Sequence, residues 1–246
     1  MTRSSPAFSS RSEAPGTRYA VYVDAPASGT GPWPVVLVTD GDVFFDPAVE
    51  ASRALEKAGA IPPLLVVGVG YGAFFGQPGN HRGRDYTPTA SAEEPSSGGA
   101  DAFLSYLEGT LWGELRDRYP VDEATRAIAG HSLGSLLVLH ALFQDRPFFN
   151  RALASAPSVW WDNRSILRLI GALRDRRAAL EGRLYLGVGA EDTPSMTADM
   201  GLLAAQLSDR PFGGLRVLSE TLPGRDHFDV APHTLAAGLA FLFGAE

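Results

Sequence analysis

Cysteine is absent from the 246 residues. That removes disulfides, thiolate metal ligands and a cysteine nucleophile together. Lysine is nearly absent as well: Lys57 stands alone, and arginine carries the rest of the positive charge. Acidic residues outnumber basic ones, 28 against 21, for a formal charge of −7. Such a balance offers no broad attraction to nucleic acid or to an anionic membrane, so neither is expected as a partner. No apolar run approaches the length of a membrane span. The opening "MTRSSPAFSSRSEAPGTR" has neither an apolar core nor a cleavage pattern, so a cytoplasmic location is expected. Internal repeats and long linkers are also missing.

What is present is apolar content of 45%, enough to bury a full core in one domain. Residues 1–18 are rich in Ser, Pro and Arg and are expected to be loosely held, leaving 19–246 as the domain. "RYAVYVDAP" alternates and ends at Pro26, which predicts an antiparallel or edge strand. "PVVLVTD" (34–40) and "PLLVVGVG" (63–70) are continuous apolar runs, as in strands covered on both faces. Between them "DPAVEASRALEKAGA" has helical spacing, with Asp46 as N-cap and Pro47 at the first helical position. "DAFLSYLEGTLWGELRDRYP" (101–120) predicts one long amphipathic helix stopped by Pro120.

Strand and helix patterns then alternate to the end of the chain. "ATRAIAG", "RALASAP", "GRLYLGVGA" and "LRVLSETL" read as strands. "LGSLLVLHALF", "DNRSILRLIGALRDRRAAL", "SMTADMGLLAAQL" and "PHTLAAGLAFLF" read as helices. Such alternation predicts an α/β fold, a mostly parallel central sheet with helices on both faces. The exception is 71–100, a long Gly-, Pro- and Ser-rich loop holding "HRGRDYTPT".

The stretch "AIAGHSLGSLLVLHA" (127–141) carries the chemistry. Ser132 stands at the end of a predicted strand, flanked at −2 and +2 by Gly130 and Gly134. A sharp strand-to-helix turn there strains the serine and brings its flanks against neighbouring backbone, so glycine is needed on both sides. The turn exposes the hydroxyl and frees the N–H of Leu133 at a helix N-terminus, where it can hold an oxyanion. A glycine-flanked serine can also be a simple helix cap, but the strand-before, helix-after context favours a nucleophile.

An alcohol needs a base, and the base needs an orienting carboxylate, in the chain order Ser, acid, His. Of the five histidines, His131 points back into strand packing and His140 lies on the following helix. His81 precedes the serine, and His233 sits inside the last helix. His227, in the loop "LPGRDHFDV" after the last strand, fits. For the acid, "LYLGVGAEDTPS" offers adjacent Glu191 and Asp192. Asp192 is preferred because a short carboxylate suits a fixed role; Glu191 stays open. Asp226 reads as a loop-bracing charge. The second oxyanion donor should follow an early central strand: in "VLVTDGDVFF", Gly41 allows close approach and the N–H of Asp42 or Val43 can face the site.

No cofactor or metal is expected. The Asp40/Asp42/Asp46 spacing lacks the glycine and glutamate of an EF-hand loop. "GVGYG" (68–72) does not complete a dinucleotide fingerprint. Aromatic pairs, Phe44-Phe45, Phe74-Phe75 and Trp160-Trp161, fall near strand ends. Arg82, Arg84, Trp160 and Trp161 are candidate substrate contacts for an aromatic or anionic group. The competing reading makes Arg84-Asp85 an internal ion pair anchoring the long loop.

The chain resembles the esterase branch of the α/β-hydrolase superfamily, and within it the enterobactin (ferric siderophore) esterase-like group. The stretches that carry the resemblance are "LVTDGDVFF", "HRGRDYTPT", "GADAFLSYLEGTLWGELRDRYPVD", "IAGHSLGS", "ASAPSVWWD", "VGAEDT" and "GRDHF". It departs at Gly134-Ser135, where Gly-Gly is usual, and at Thr39-Asp40-Gly41, where Leu-Asp-Gly is common. The resemblance implies Ser132 as nucleophile, His227 as base, Asp192 as acid and Gly41-Asp42 as oxyanion loop. It implies a serine ester hydrolase acting on a small-molecule ester, of aromatic or siderophore type. The alternatives on the same fold are a non-catalytic ligand-binding module and an acyltransferase.

Overall fold

The computed structural model describes residues 4–13, 16–27, 29–92 and 94–245. Among the described residues, the seven predicted strands and one that was not predicted form an eight-stranded sheet. In chain order they are β1 (Phe8–Arg11), β2 (Arg18–Asp24), β3 (Trp33–Thr39), β4 (Leu65–Gly70), β5 (Val121–His131), β6 (Arg151–Ser155), β7 (Ala179–Gly189) and β8 (Gly213–Leu222). Their order across the sheet is β1-β2-β4-β3-β5-β6-β7-β8. β2 runs against both its neighbours, and every pair from β4 to β8 is parallel.

The helices are α1 (Gly41–Lys57), α2 (Arg82–Asp85), α3 (Ala100–Tyr106), α4 (Trp112–Arg118), α5 (Leu133–Leu142), α6 (Trp161–Arg176), α7 (Pro194–Asp209) and α8 (Val230–Phe243). α1 and α8 pack on one face of the sheet around Val36, Val38, Leu153 and Leu239. α3 to α7 close the other face around Leu37, Ile128, Leu136 and Leu186. α5 is apolar almost all round and is buried almost all round, as a helix of that composition must be.

Strand order reverses at β3, whose chain leaves toward β4 while β5 lies on its other side. The crevice outside the carboxyl ends of β3 and β5 is where such sheets bind ligands. Thr39-Asp40-Gly41 and His131-Ser132 open onto that crevice.

Four expectations are corrected. Residues 8–11 of the segment expected to be loose form β1, in register with Val21 back to Arg18; residues 1–3, 14 and 15 lie outside the described residues. α1 begins at Gly41, not at Asp46, so Pro47 lies inside the helix. There it has no N–H to give the Val43 carbonyl one turn back, so one intrahelical bond is missing. The helix at 101–120 is interrupted by a π-helical turn at Leu107–Leu111. The buried positions Phe103, Leu107, Leu111 and Leu115 recur every four residues. A regular helix would rotate that row by about 40° per repeat, and a wider turn keeps it on the core. Asp162, Asn163 and Arg164 are left-handed (φ 45°, 51° and 59°), so the regular part of α6 follows them. Arg168 donates to the carbonyls of Asn163 at 2.6 Å and Asp162 at 3.2 Å, bracing that turn.

Candidate active site

Ser132 joins β5 to α5 with φ 57° and ψ −118°, outside the ordinary regions for an L-residue. Its N–H donates to the Ser155 carbonyl at 2.8 Å, which pins the turn to the end of β6. A Cβ on Gly130 would stand 2.5 Å from the carbonyl of Gly134, and one on Gly134 2.4 Å from Thr39 Oγ1. The sequence argument for the two glycines is met by these approaches. Ser135, the departure from Gly-Gly, lies within 2.7 Å of the Gly130 and Ser155 carbonyls, so its hydroxyl ties the turn down.

The loop after β8 brings His227 to the serine: Nε2 lies 3.1 Å from Ser132 Oγ. The loop after β7 brings Asp192, whose Oδ2 lies 2.8 Å from His227 Nδ1. Asp192 is buried, and its Oδ1 accepts from the Thr193 N–H at 2.7 Å. Glu191 is exposed and directs only its N–H inward, to the Arg225 carbonyl at 2.8 Å. Asp226 is exposed and accepts from the N–H groups of Phe228 and Asp229 at 2.8 and 2.9 Å. Those bonds lower its pKa and brace the His227 loop.

Leu133 opens α5 and Asp42 sits in the first turn of α1, positions where N–H groups have no intrahelical acceptor. The Val43 N–H, the other candidate, is taken by the Asp40 carbonyl at 2.8 Å. Gly41 lies so close to β4 that a Cβ would meet the Gly68 carbonyl carbon at 2.7 Å. The Asp42 carboxylate accepts from Tyr22 Oη at 2.6 Å and from the N–H groups of Tyr71 and Gly72 at 2.6 and 3.0 Å. Asp40, Asp42 and Asp46 thus serve three separate purposes, since Asp46 accepts from the Ser4 N–H at 3.3 Å.

Arg82 reaches Asp40 with both arms, Nε to Oδ1 at 3.1 Å and a terminal nitrogen to Oδ2 at 3.0 Å. Its guanidinium lies over the Phe75 ring, 4.5 Å from the centroid. Asp40 is buried, left-handed (φ 50°), and its N–H donates to Tyr86 Oη at 2.9 Å. Arg84 instead pairs with buried Asp85 at 2.7 Å and donates to Thr17 Oγ1 at 2.7 Å. Tyr19 and Tyr71 donate to the same Asp85 at 2.9 and 3.0 Å. The anchoring reading of Arg84 therefore describes its contacts. Trp161 is a core residue whose Nε1 donates to the Thr89 carbonyl at 3.1 Å. Trp160 is 48% exposed and presents its ring to solvent, as do Phe74, Phe75 and Phe228.

Sequence reasoning turned His131 into the strand packing but missed the hydroxyl layer it joins behind the serine. His131 is buried, with Nδ1 3.0 Å from Ser155 Oγ, and Thr234 Oγ1 donates to that hydroxyl at 2.7 Å. Its ring lies 4.9 Å from the His227 ring. Burial first, then the neighbouring His227 and Arg82, push the His131 pKa down to about 3, so it is neutral across the ordinary range. Ser158, buried, lies 3.4 Å from Ser132 Oγ. Only "ASAPSV", quoted above as a family-like stretch, hinted at Ser155 and Ser158.

Among the described residues no helix is long and apolar enough to cross a membrane. The sequence is 34% identical over 163 residues to the siderophore triacetylfusarinine C esterase of Aspergillus fumigatus, covering 62% of this chain and 55% of that one. It is 33% identical over 178 residues to the ferri-bacillibactin esterase BesA of Bacillus subtilis, covering 65% of this chain and 60% of that one. The alignments thus span less than two thirds of either relative's length. The fold matches the crystal structure of the BES protein from Bacillus cereus with a TM-score of 0.88 and 27% identity, over 100% of this chain and 97% of that one. The profile of the family described as "Putative esterase" matches residues 12–216. With that extent of match on an α/β-hydrolase sheet, the chain belongs to this esterase family.

Proposed function

We propose that the chain is a serine carboxylic-ester hydrolase working through an acyl-enzyme, on a small-molecule ester of aromatic or siderophore type. The observation that carries the reading is the line from Ser132 Oγ to His227 at 3.1 Å and from His227 to Asp192 at 2.8 Å. Three side chains from three separate loops meet within hydrogen-bonding reach, in the order a nucleophile, a base and an orienting acid require.

His227 Nε2 takes the hydroxyl proton as Ser132 Oγ bonds to the ester carbonyl carbon. The carbonyl electron pair moves onto oxygen, facing the N–H groups of Leu133 and Asp42, and fixed donors there stabilise the charge as it develops. Collapse expels the alcohol, which leaves with the proton from Nε2. A water then gives its proton to Nε2, attacks the acyl carbon and releases the acid, and Ser132 recovers its proton. Asp192 holds the imidazole in the tautomer with its proton on Nδ1 and favours the imidazolium between steps. The substrate class is supported by the relatives, one named as a siderophore esterase and the other as a ferri-bacillibactin esterase, and by the exposed aromatic ring of Trp160.

The test is hydrolysis of a p-nitrophenyl ester series by the wild type beside Ser132→Ala. Turnover present in the first and lost in the second is the expected result. Equal rates would remove Ser132 from the role of nucleophile.

A further inference from the structure

The two edges of the sheet are built differently. β1 is only four residues long, and a short edge strand offers little to pair with. β8, the opposite edge, runs for ten residues with no proline and no lysine, and Val217 on it is 38% exposed. A long, regular, uncharged-centre edge is a template for another strand unless something manages it.

Strand alternation fixes which groups β8 offers. The Leu222 carbonyl accepts from the Ala190 N–H at 2.9 Å, on the β7 side. In a parallel strand both backbone groups of a residue point the same way and alternate along it. Leu218 and Glu220 therefore turn theirs toward β7, and Val217, Ser219 and Thr221 turn theirs outward. Side chains alternate as well: Leu218 packs with the α8 cluster, Arg216 lies 5.9 Å from the Phe241 ring, and Glu220 neighbours Tyr185. Arg216, Leu218 and Glu220 share that face.

We propose that β8 is a homodimer interface, two copies pairing antiparallel about a twofold axis at Leu218 to join their sheets. In that register Val217 of one copy opposes Ser219 of the other, and these residues exchange their outward N–H and C=O groups. Leu218 meets its own copy on the axis. Arg216 of each copy faces Glu220 of the other, in the closer, non-hydrogen-bonded type of pair where side chains interact best. The strand is thus self-complementary in charge as well as in hydrogen bonding, which a closed twofold contact demands. Two chains of charge −7 repel at long range, and the two cross-strand ion pairs offset that at contact, while a shifted register would lose them.

The test is the mass in solution by sedimentation or light scattering, over a dilution series. The wild type is expected at twice the 26.2 kDa chain mass. Arg216→Glu puts carboxylates opposite each other at both positions and should halve the mass, and the swap Arg216→Glu with Glu220→Arg should restore it. Ser219→Pro removes an N–H that points outward, so β8 keeps its bonds to β7 while the partner loses one. It should halve the mass with an unchanged far-ultraviolet spectrum, and Ser219→Ala should not. A wild type at the single-chain mass throughout, or a Ser219→Pro protein that keeps the doubled mass, would overturn the proposal.

Discussion

Asp192 and His227 meet through a single carboxylate oxygen, Oδ2, 2.8 Å from Nδ1, while Oδ1 is held by the Thr193 N–H at 2.7 Å. Both oxygens are occupied, so the carboxylate cannot turn away from the imidazole without losing a bond. Asp192→Asn keeps the size but offers an amide where an acceptor is needed, which favours the wrong imidazole tautomer. A fall in kcat of about 10⁴ is expected, from the effect of the same exchange in serine proteases. Glu191→Gln, at an exposed position, should leave kcat within a few-fold of the wild type. The reverse ranking in a steady-state assay would move the acid to Glu191.

The glycines around Ser132 give a prediction about stability. Gly130→Ala drives a methyl into the backbone of Gly134, and neither side is a flexible side chain. A loss of about 1–3 kcal/mol or more is expected from overpacking of this kind. Gly201, exposed in the middle of α7, meets nothing within 4 Å. Gly201→Ala should stabilise by about 0.4–1 kcal/mol, through helix propensity and a less free unfolded chain. Urea midpoints at constant slope would measure both, and a Gly130→Ala protein as stable as the wild type would contradict the reading of the elbow.

The elbow was legible in the sequence because it is local: a strand, five residues and a helix carry the whole requirement. His227 was legible because chain order constrains it. The partners of Arg82 were not. Its bond to Asp40 spans 42 residues, and Asp40 otherwise looks like part of a run of acids. The left-handed turn at 162–164 was hidden because "DNRSILRLIGALRDR" has helical spacing. Its conformation is braced by Arg168 and by Arg164 on buried Asp199 at 2.6 Å, contacts that spacing does not encode. The π-helical turn is an intermediate case, since the four-residue recurrence of Phe103, Leu107, Leu111 and Leu115 is visible but its meaning depends on which face is buried.

Arg82 fastens the long loop to the residue that precedes Gly41. The fork geometry matters, because each arm meets a different oxygen of a carboxylate that is buried. Arg82→Ala leaves that charge unpaired, and a loss of about 3–5 kcal/mol is expected for breaking a buried pair. Arg82→Lys keeps the charge but loses the fork, so it should fall between the two. Denaturant unfolding of the three proteins checks the order. A Lys variant equal to the wild type would mean that charge alone holds the loop.

His131 makes the fold sensitive to acid. With its pKa near 3 it stays neutral in the folded chain, whereas the unfolded chain takes up its proton below about 6.5. Between those values the unfolded state binds more protons, so stability rises with pH across the window and falls on acidification. The expected contribution to the slope is about 1.4 kcal/mol per pH unit where His131 is protonated only in the unfolded chain. His131→Gln should flatten the dependence by that order in unfolding experiments at several pH values. Parallel curves for the two proteins would show that His131 is not the group responsible.

Covalent trapping tests the chemistry most directly. A fluorophosphonate ester reacts with a serine only where a base activates it and an oxyanion site receives the phosphoryl oxygen. One adduct per chain is expected, on the peptide holding Ser132, formed in step with loss of ester hydrolysis and absent from His227→Ala. An adduct on another residue, or full hydrolytic activity in protein that carries the adduct at Ser132, would contradict the assignment.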